Sequence, residues 1–289
     1  MATFLSRSWS DYELLDFGSG RKLERFGNVI LDRPEVNARA KESMPHSQWR
    51  DLAQARFHEK GGQKGSWKGK TGIKDWHIGW SHGDKNIRFE LVLTRFKHVG
   101  IFPEQSANWH LLTDFLSGDQ APMKVLNLFA YTGGASLVAK ACGADVIHVD
   151  SVKQVLSWAR RNMELSGLTD IRWVLEDAFK FAARELKRGN KYDAIIMDPP
   201  AYGLGAKGER WRLEDSIRDL IDTALKLLNS KRHLMILNTY SPKLNVLELK
   251  DIYKDVAGNE RGMECDDLRM KASTGKDLRY GAVLRKVKY

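Results

Sequence analysis

The sequence predicts an α/β fold with a seven-stranded, mostly parallel sheet and an antiparallel terminal hairpin, preceded by a small β-rich α+β domain. After residue 120, short apolar strands alternate with helical patterns, which is the arrangement of a parallel sheet covered by helices. The last two strand-like segments, 262–270 and 281–289, have no helix between them. Before residue 100, short apolar runs lie between turn residues, and five of the nine tryptophans occur there. We therefore expect two domains, 1–98 and 99–289.

Five apolar segments supply the parallel strands of the second domain. Each is short and is followed by turn-forming or charged residues. They are residues 125–129, 146–150, 171–176, 192–198 and 233–239. Residues 151–167 follow a helical repeat, with Ser151 as the expected N-cap and Gly167 as the expected stop. Ligands of such sheets bind beyond the carboxyl ends of the strands, so the turns that follow the strands are where we expect a site.

Composition and charge limit the class of protein. There are 47 Lys and Arg against 37 Asp and Glu, a net charge of +10 that suits a polyanionic partner. No apolar stretch is long enough to span a membrane, and the N-terminus lacks the apolar core of a secretory signal, so we expect a cytoplasmic protein. Cys142 and Cys265 are too few for a disulfide framework, and no His/Cys cluster has metal-ligand spacing. We therefore expect no metal, and the oligomeric state stays open.

Three successive strand ends carry features of a cofactor site. Gly133 and Gly134 follow the first strand and allow a ligand to approach the backbone closely. Asp150 ends the second strand, where a carboxylate can accept hydrogen bonds from both hydroxyls of a ribose. Asp177 ends the third, where it can bind an adenine amino group or cap the next helix. Together they indicate an adenosine-containing cofactor, while the missing Gly-Lys-Ser/Thr sequence argues against a P-loop.

The fourth strand indicates the chemistry. It ends in Asp198-Pro199-Pro200, and two prolines stop the strand and stiffen its exit. The Asp198 carboxylate and nearby carbonyls are acceptors suited to the N–H bonds of an exocyclic amine, whose lone pair they would aim at a methyl donor. Tyr202 is placed to stack on an unpaired or flipped base. We predict Asp198, Pro199, Pro200 and Tyr202 as the catalytic residues.

These motifs resemble bacterial class I S-adenosylmethionine (SAM)-dependent methyltransferases of large-subunit ribosomal RNA, in a branch without the RNA-binding PUA domain. The resemblance rests on residues 125–134, 148–150, 176–178 and 198–200, and extends to 21–27 and 100–105. It implies a Rossmann-like methyltransferase domain, SAM as the cofactor and RNA as the partner. In it, the glycine turn would hold the carboxypropyl end of SAM, and Phe102 and Gln105 would help close over the cofactor. The cofactor-binding residues that it implies are Phe102, Gln105, Asn127, Phe129, Tyr131, Thr132, Gly133, Asp150, Ser151, Asp177, Ala178 and Asp198.

The positions of the cysteines indicate which kind of atom accepts the methyl group. Relatives that methylate C5 of cytosine need a nucleophilic cysteine near the fourth or fifth strand end, and neither end has one here. A base nitrogen is therefore favoured, although Ala201 separates the prolines from the usual aromatic residue. A protein or small-molecule acceptor and a non-catalytic RNA-binding assembly protein remain alternatives. A nicotinamide oxidoreductase is disfavoured by the terminal hairpin and the prolines.

Residues 56–70 are the candidate RNA contact. The segment begins with Arg56, ends with Lys70, and alternates positive charges with glycines around Trp67. We interpret it as a loop that contacts phosphates and offers a stacking ring, or as a solvated loop anchored by its tryptophan.

Overall fold

A computed structural model describes residues 4–61, 64–70, 72–117, 122–204, 210–259 and 261–289. The chain divides into two compact units. The β-rich unit comprises Met1–Ala107 and Arg269–Tyr280, and the α/β unit comprises Asn108–Leu268 and Gly281–Tyr289. The expected domain boundary between residues 98 and 99 stays a prediction. Within the described ranges, no helix combines the length and the apolar character that crossing a membrane requires.

The β-rich unit is built mainly from short strands. Its elements in chain order are β1 (Leu5–Ser6), β2 (Tyr12–Gly18), β3 (Arg21–Phe26), β4 (Val29–Pro34), α1 (His46–Leu52), β5 (Ala55–Gly61), β6 (Lys64–Gly69), β7 (His77–His82) and β8 (Lys85–Glu90), followed by the 3-10 helix Pro103–Gln105. Strands β2 to β6 form one sheet in sequence order, antiparallel except between β4 and β5, which α1 connects in parallel. Strands β7 and β8 form a separate hairpin. The predicted small β-rich α+β arrangement is confirmed.

The α/β unit holds the predicted parallel sheet. The elements that follow in the chain are α2 (Ser106–Leu116), β9 (Lys124–Leu128), α3 (Gly134–Ala141), β10 (Asp145–Asp150), α4 (Lys153–Leu165), β11 (Ile171–Leu175), α5 (Ala178–Lys187), β12 (Ala194–Met197), β13 (Tyr202–Leu204), β14 (Arg210–Arg212), α6 (Leu213–Leu227), β15 (His233–Thr239), α7 (Val246–Ala257), β16 (Met263–Lys271) and β17 (Asp277–Lys288). The sheet has eight strands in the order β1-β16-β17-β15-β12-β9-β10-β11, and the two-residue β1 pairs in parallel with Arg269 and Met270 of β16. Strands β9, β10, β11, β12 and β15 are parallel, and β17 is antiparallel to β15. The expected antiparallel ending is confirmed, whereas the expected count of seven strands was wrong by one because β1 adds a short edge strand.

The central strands form the core because helices cover both faces of a parallel sheet. Every residue of β12 and of β15 is buried. The chain order reverses between β9 and β12, whose carboxyl ends both lie at one edge of the sheet. This edge is where ligands of open α/β sheets bind.

Two local expectations were wrong. The basic segment 56–70 is not a loop, because β5 and β6 pair as an antiparallel hairpin that places Arg56 opposite Lys68 and Phe57 opposite Trp67. Residues Gly62 and Gln63 of that segment lie outside the described residues. Ser151 is not the N-cap of α4. The cap is Val152, which offers no side-chain hydrogen bond.

Candidate active site at the carboxyl edge of the sheet

The turn after β9 bends the backbone sharply. Phe129, Tyr131 and Gly133 have φ angles of 56°, 49° and 96°. Left-handed backbone in residues other than glycine costs about 1–2 kcal/mol each, and such strain is concentrated at functional sites. Gly133 is the N-cap of α3, and no side chain caps that helix. The first N–H groups of α3 are therefore available to an anionic ligand group, which helix N-termini favour.

Buried polar side chains form hydrogen bonds on the interior side of this turn. Nδ2 of Asn127 donates to Oγ of Ser136 over 2.9 Å, and Nδ1 of His148 lies 3.0 Å from the same oxygen. Burial lowers the pKa of His148 to about 3, so its ring is neutral. Nδ2 of Asn162 donates to the carbonyl of Thr132 over 3.0 Å. Asn127 therefore has a partner in the interior, and its expected contact with the cofactor stays a prediction.

Asp150 joins the turn to the end of β10. Its Oδ2 accepts the backbone N–H of Tyr131 and its Oδ1 accepts that of Val152, each over 2.9 Å. Burial raises the pKa of Asp150, while the backbone N–H groups of Val152, Tyr131 and Ser151 act in the opposite direction. The exposed Ser151 lies in the turn between these two hydrogen-bonded groups. The carboxylate thus faces the edge of the sheet with both oxygens already oriented.

The end of β11 combines a helix cap with an ion pair. Oδ1 of Asp177 accepts the backbone N–H of Lys180 over 3.0 Å and caps α5. The preceding residue, Glu176, forms a bidentate ion pair of 2.5 Å per bond with Arg184. Ala178 is buried at the start of α5. The capping role of Asp177 that the sequence left open is present, and its contact with an adenine stays a prediction.

Asp198 lies beside the turn after β9. Its backbone N–H donates to the carbonyl of Leu128 over 3.4 Å, so the parallel pairing of β12 with β9 continues to the first residue of the Asp-Pro-Pro corner. Pro199 is buried and Pro200 is exposed. The corner leads into the hairpin of β13 and β14, in which the side chain of Tyr202 is 63% exposed. The described residues therefore bring all four predicted catalytic residues to the same edge as the glycine turn.

Sequence reasoning missed three functional candidates, Phe179, Trp211 and Arg212. Phe129 directly follows β9, Phe179 lies in the first turn of α5 and Trp211 lies on β14, and the three rings pack together at this edge. Arg212 pairs with Tyr202 across the hairpin. The alternation of charged and apolar residues around Trp211 could have indicated a strand, but β14 is only three residues long.

Phe102 and Gln105 belong to the β-rich unit. Gln105 is buried in the 3-10 helix, where its N–H donates to the carbonyl of Phe102 over 3.0 Å. The ring of Phe102 lies 5.3 Å from that of His98. Their expected closure over the cofactor stays a prediction.

The polar groups at this edge of the sheet suit a ligand that combines an amino acid with an adenosine better than they suit a metal ion. Uncapped N–H groups at the start of α3 suit a carboxylate, and Asp150 suits a ribose. Among the residues that the structure describes, no group of three or more His, Cys, Asp or Glu side chains could hold a metal ion.

Comparisons with known proteins agree with this geometry. Residues 37–238 match the family described as S-adenosylmethionine-dependent methyltransferase. A SAM-dependent methyltransferase from Agrobacterium tumefaciens is 34% identical, with a TM-score of 0.88 that covers 99% of this chain and 93% of that one. A methyltransferase crystallised with S-adenosylhomocysteine (SAH) has a TM-score of 0.72 at 18% identity, covers 96% of this chain and 75% of that one, and shares the fold.

Curated relatives match over a smaller part of their length. The ribosomal RNA large subunit methyltransferase K/L of Shewanella frigidimarina is 32% identical over 154 residues, 52% of this chain and 21% of that protein. The ribosomal RNA large subunit methyltransferase I of Aeromonas salmonicida is 34% identical over 146 residues, 46% of this chain and 36% of that protein. The chain thus spans well under two thirds of either relative.

Proposed function

Because the chain belongs to the S-adenosylmethionine-dependent methyltransferase family, we propose that it methylates a nitrogen of a base in ribosomal RNA. Its cofactor is SAM. The observation that carries the proposal is the position of Asp198, whose N–H lies 3.4 Å from the carbonyl of Leu128 at the start of the cofactor turn. A group held by Asp198 is therefore held beside that turn.

Different residues at this edge bind the cofactor and orient the acceptor. The first N–H groups of α3 hold the carboxylate of the cofactor, and Asp150 holds its ribose. SAM, when bound, supplies a methyl group on a positively charged sulfur. Asp198 accepts N–H bonds of the acceptor amine, aims its lone pair at that methyl group and stabilises the positive charge that develops on nitrogen. The transfer leaves SAH, and the methylated nitrogen then releases one proton to solvent. The buried Pro199 limits the movement of the carboxylate.

A nitrogen acceptor is favoured over carbon because neither cysteine suits a nucleophile. Cys142 is the C-cap of α3, at the end of that helix remote from the glycine turn. Cys265 is buried on β16, and burial raises the pKa of its thiol to about 12. Thiolate attack on a pyrimidine needs a reactive, deprotonated cysteine at the site.

An RNA acceptor is supported by the outer face of the β13–β14 hairpin. Tyr202 and Arg212 are cross-strand partners and both are exposed. Cross-strand partners lie on the same face of a hairpin. An aromatic ring for stacking beside a guanidinium for phosphate is a combination that single-stranded RNA favours. The names of the ribosomal RNA methyltransferases that this chain resembles and its net charge of +10 agree with this choice.

The β5–β6 hairpin is a second proposed RNA contact. Arg56 and Lys68 are directly opposed, and Lys60, Lys64 and Lys70 extend the positive surface. Opposed like charges destabilise a hairpin, and Asp32, 3.2 Å from Arg56, is shared with Arg21. Phosphate oxygens of a bound RNA would neutralise the remaining positive charge.

The proposed reaction is tested with tritium-labelled SAM. Ribosomal RNA and ribosomal particles from cells that lack the gene serve as substrates, and labelled nucleosides are identified by mass spectrometry. We expect label in an N-methylated base, and we expect Asp198→Asn to reduce turnover at least 100-fold because an amide cannot replace both carboxylate acceptors. Asp219→Asn, at an exposed position on α6, is the matched control. Label confined to protein, small molecules or carbon 5 of a pyrimidine would refute the proposal.

The RNA contact of the β5–β6 hairpin is tested by the salt dependence of binding. Glutamine at Lys60, Lys64, Lys68 and Lys70 should reduce the slope of log affinity against log salt by up to roughly 3 for a ribosomal RNA fragment. The charge-matched control places glutamine at four exposed lysines of the α/β unit: Lys187, Lys226, Lys231 and Lys288. Equal slopes for the two variants would remove the hairpin from the RNA interface.

A further inference from the structure

An aromatic cluster connects the three strand ends of the site. The ring centroids of Phe129 and Phe179 are 5.6 Å apart, and Trp211 lies 6.4 Å from the first and 5.5 Å from the second. Phe129 begins the turn that carries Gly133, and Phe179 follows Asp177 in the first turn of α5. Phe129 therefore belongs to the segment that binds the cofactor in the proposed function, and Phe179 belongs to the segment whose Asp177 is predicted to bind the adenine.

Trp211 belongs to the other half of the site. It lies on β14, opposite Gly203 on β13, in the hairpin that follows the Asp-Pro-Pro corner. Side chains alternate between the two faces of a hairpin. The exposed pair of Tyr202 and Arg212 therefore forms the outer face, while the half-buried Trp211 packs inward on Phe179.

Gly203 is required for this packing. A Cβ atom at residue 203 would overlap Nε1 of Trp211 and would lie 2.6 Å from its Cε2. The indole therefore covers the position where any other residue would place its side chain. Covering of a glycine by an aromatic ring on the paired strand is a known means of fixing a hairpin.

We propose that Trp211 is a positioning residue that couples cofactor binding to the ordering of the β13–β14 hairpin. The inference rests on the proposed function for the role of the outer face, which carries the acceptor. Cofactor binding fixes the segments of Phe129 and Phe179, and their rings then hold the indole and, through it, the hairpin. By thermodynamic reciprocity, an acceptor that orders the hairpin strengthens cofactor binding.

The coupling can be measured without an RNA acceptor. Hydrogen exchange of the full-length protein is followed by mass spectrometry with and without saturating SAH, in peptides that contain Tyr202–Leu204 and Arg210–Arg212. In the unmodified protein, we expect SAH to slow exchange in these peptides about fivefold or more. In Trp211→Ala, SAH should still bind, with a dissociation constant raised about tenfold for two lost aromatic contacts. Its effect on exchange in the hairpin should be lost.

Two further variants keep the test decisive if Trp211→Ala does not fold. Trp211→Phe retains a ring and should keep part of the protection. Gly203→Ala retains the indole but displaces it, and should lose protection like Trp211→Ala. Trp173→Phe, a half-buried tryptophan on β11 outside the cluster, is the matched control for Trp211→Phe and should leave protection unchanged.

Two results would overturn the coupling. One is hairpin exchange that does not respond to SAH in the unmodified protein, and the other is a full response in Trp211→Ala or Gly203→Ala. Failure of the RNA assay with an intact SAH response would refute the proposed acceptor and leave the coupling in place. RNA methylation without an effect of SAH on hairpin exchange would refute the coupling and leave the proposed acceptor in place.

Discussion

The backbone N–H of Tyr131 donates a 2.9 Å hydrogen bond to Oδ2 of Asp150 and thereby joins the turn after β9 to the end of β10. The other oxygen of the carboxylate binds the N–H of Val152 over the same distance. A carboxylate has about four acceptor positions, so two remain after these bonds. Asp150 can therefore shape the cofactor turn and bind two adjacent hydroxyls at once.

Asp150→Asn is expected to raise the dissociation constant of SAH at least tenfold. An amide has one acceptor oxygen, so its NH₂ group would face either the N–H of Tyr131 or that of Val152, and one of these donors would lose its partner. Isothermal titration calorimetry measures the change. Asp145→Asn, at the exposed start of the same strand, is the control. SAH affinity within twofold of the unmodified protein would show that Asp150 does not bind the ribose.

Ser136→Ala is expected to destabilise the α/β unit by about 1–3 kcal/mol, because it leaves two buried polar groups without their shared partner. These groups are Nδ2 of Asn127 and Nδ1 of His148. Urea unfolding measures the loss. Ser157→Ala, at an exposed position on α4, should change the unfolding free energy by less than about 0.5 kcal/mol. Equal effects of the two substitutions would mean that the buried network adds nothing to stability.

The strands of the α/β unit were predictable because each is an apolar run that turn residues interrupt. The segment expected at 233–239 forms β15 with the same bounds, and the last two segments form β16 and β17. Burial on both faces of the sheet makes such strands continuous in apolar character, so local sequence identifies them.

The β5–β6 hairpin was missed because long-range contacts form it. Lys and Gly have low strand propensity, so the segment resembles a loop when it is read locally. In the structure, Nε1 of Trp67 donates to the carbonyl of Thr94, and the N–H of Gly65 donates to that of Arg95. The N-cap of α4 was missed for a local reason, since Asp150 rather than Ser151 binds the N–H of Val152.

Gly134→Ala is expected to destabilise the α/β unit by about 1–3 kcal/mol although alanine favours helices. A Cβ atom at this first residue of α3 would lie 2.8 Å from Cζ2 of the buried Trp109. The displacement should also weaken SAH binding, because the N–H groups at the start of α3 would shift with the helix. Urea unfolding and calorimetry measure the two effects.

A second substitution separates steric from conformational causes for Gly134→Ala. Trp109→Phe removes the atom that the new methyl group would meet, so the double variant should recover part of the stability that Gly134→Ala loses relative to Trp109→Phe alone. Strictly additive losses would place the cause outside this contact.

Glu104 should make the stability of the β-rich unit depend on pH near neutrality. Burial raises the pKa of Glu104 to about 7, with smaller contributions in the same direction from Glu35 and Glu24 and an opposite one from Lys22. Among the described residues, Oε2 of Glu104 has no hydrogen-bond partner. The folded state therefore binds the proton more tightly than the unfolded state does. The stabilisation is complete below the ordinary pKa of 4.5 and is lost as pH rises through 7.

Glu104→Gln isolates this contribution from those of the other ionisable groups. The amide stays neutral at every pH, so the variant should match the unmodified protein near pH 4 and exceed its unfolding free energy by up to about 3 kcal/mol near pH 8.5. At each pH, the unfolding free energy of the variant must be compared with that of the unmodified protein, because Glu24 also makes stability depend on pH. Arg33 and Lys22 stabilise Glu24 as a carboxylate and lower its pKa, so its contribution to stability rises with pH while that of Glu104 falls. Glu264→Gln, at an exposed position on β16, should show no such rise. A difference for Glu104→Gln that is constant from pH 5 to 8.5 would mean that Glu104 does not titrate in this range.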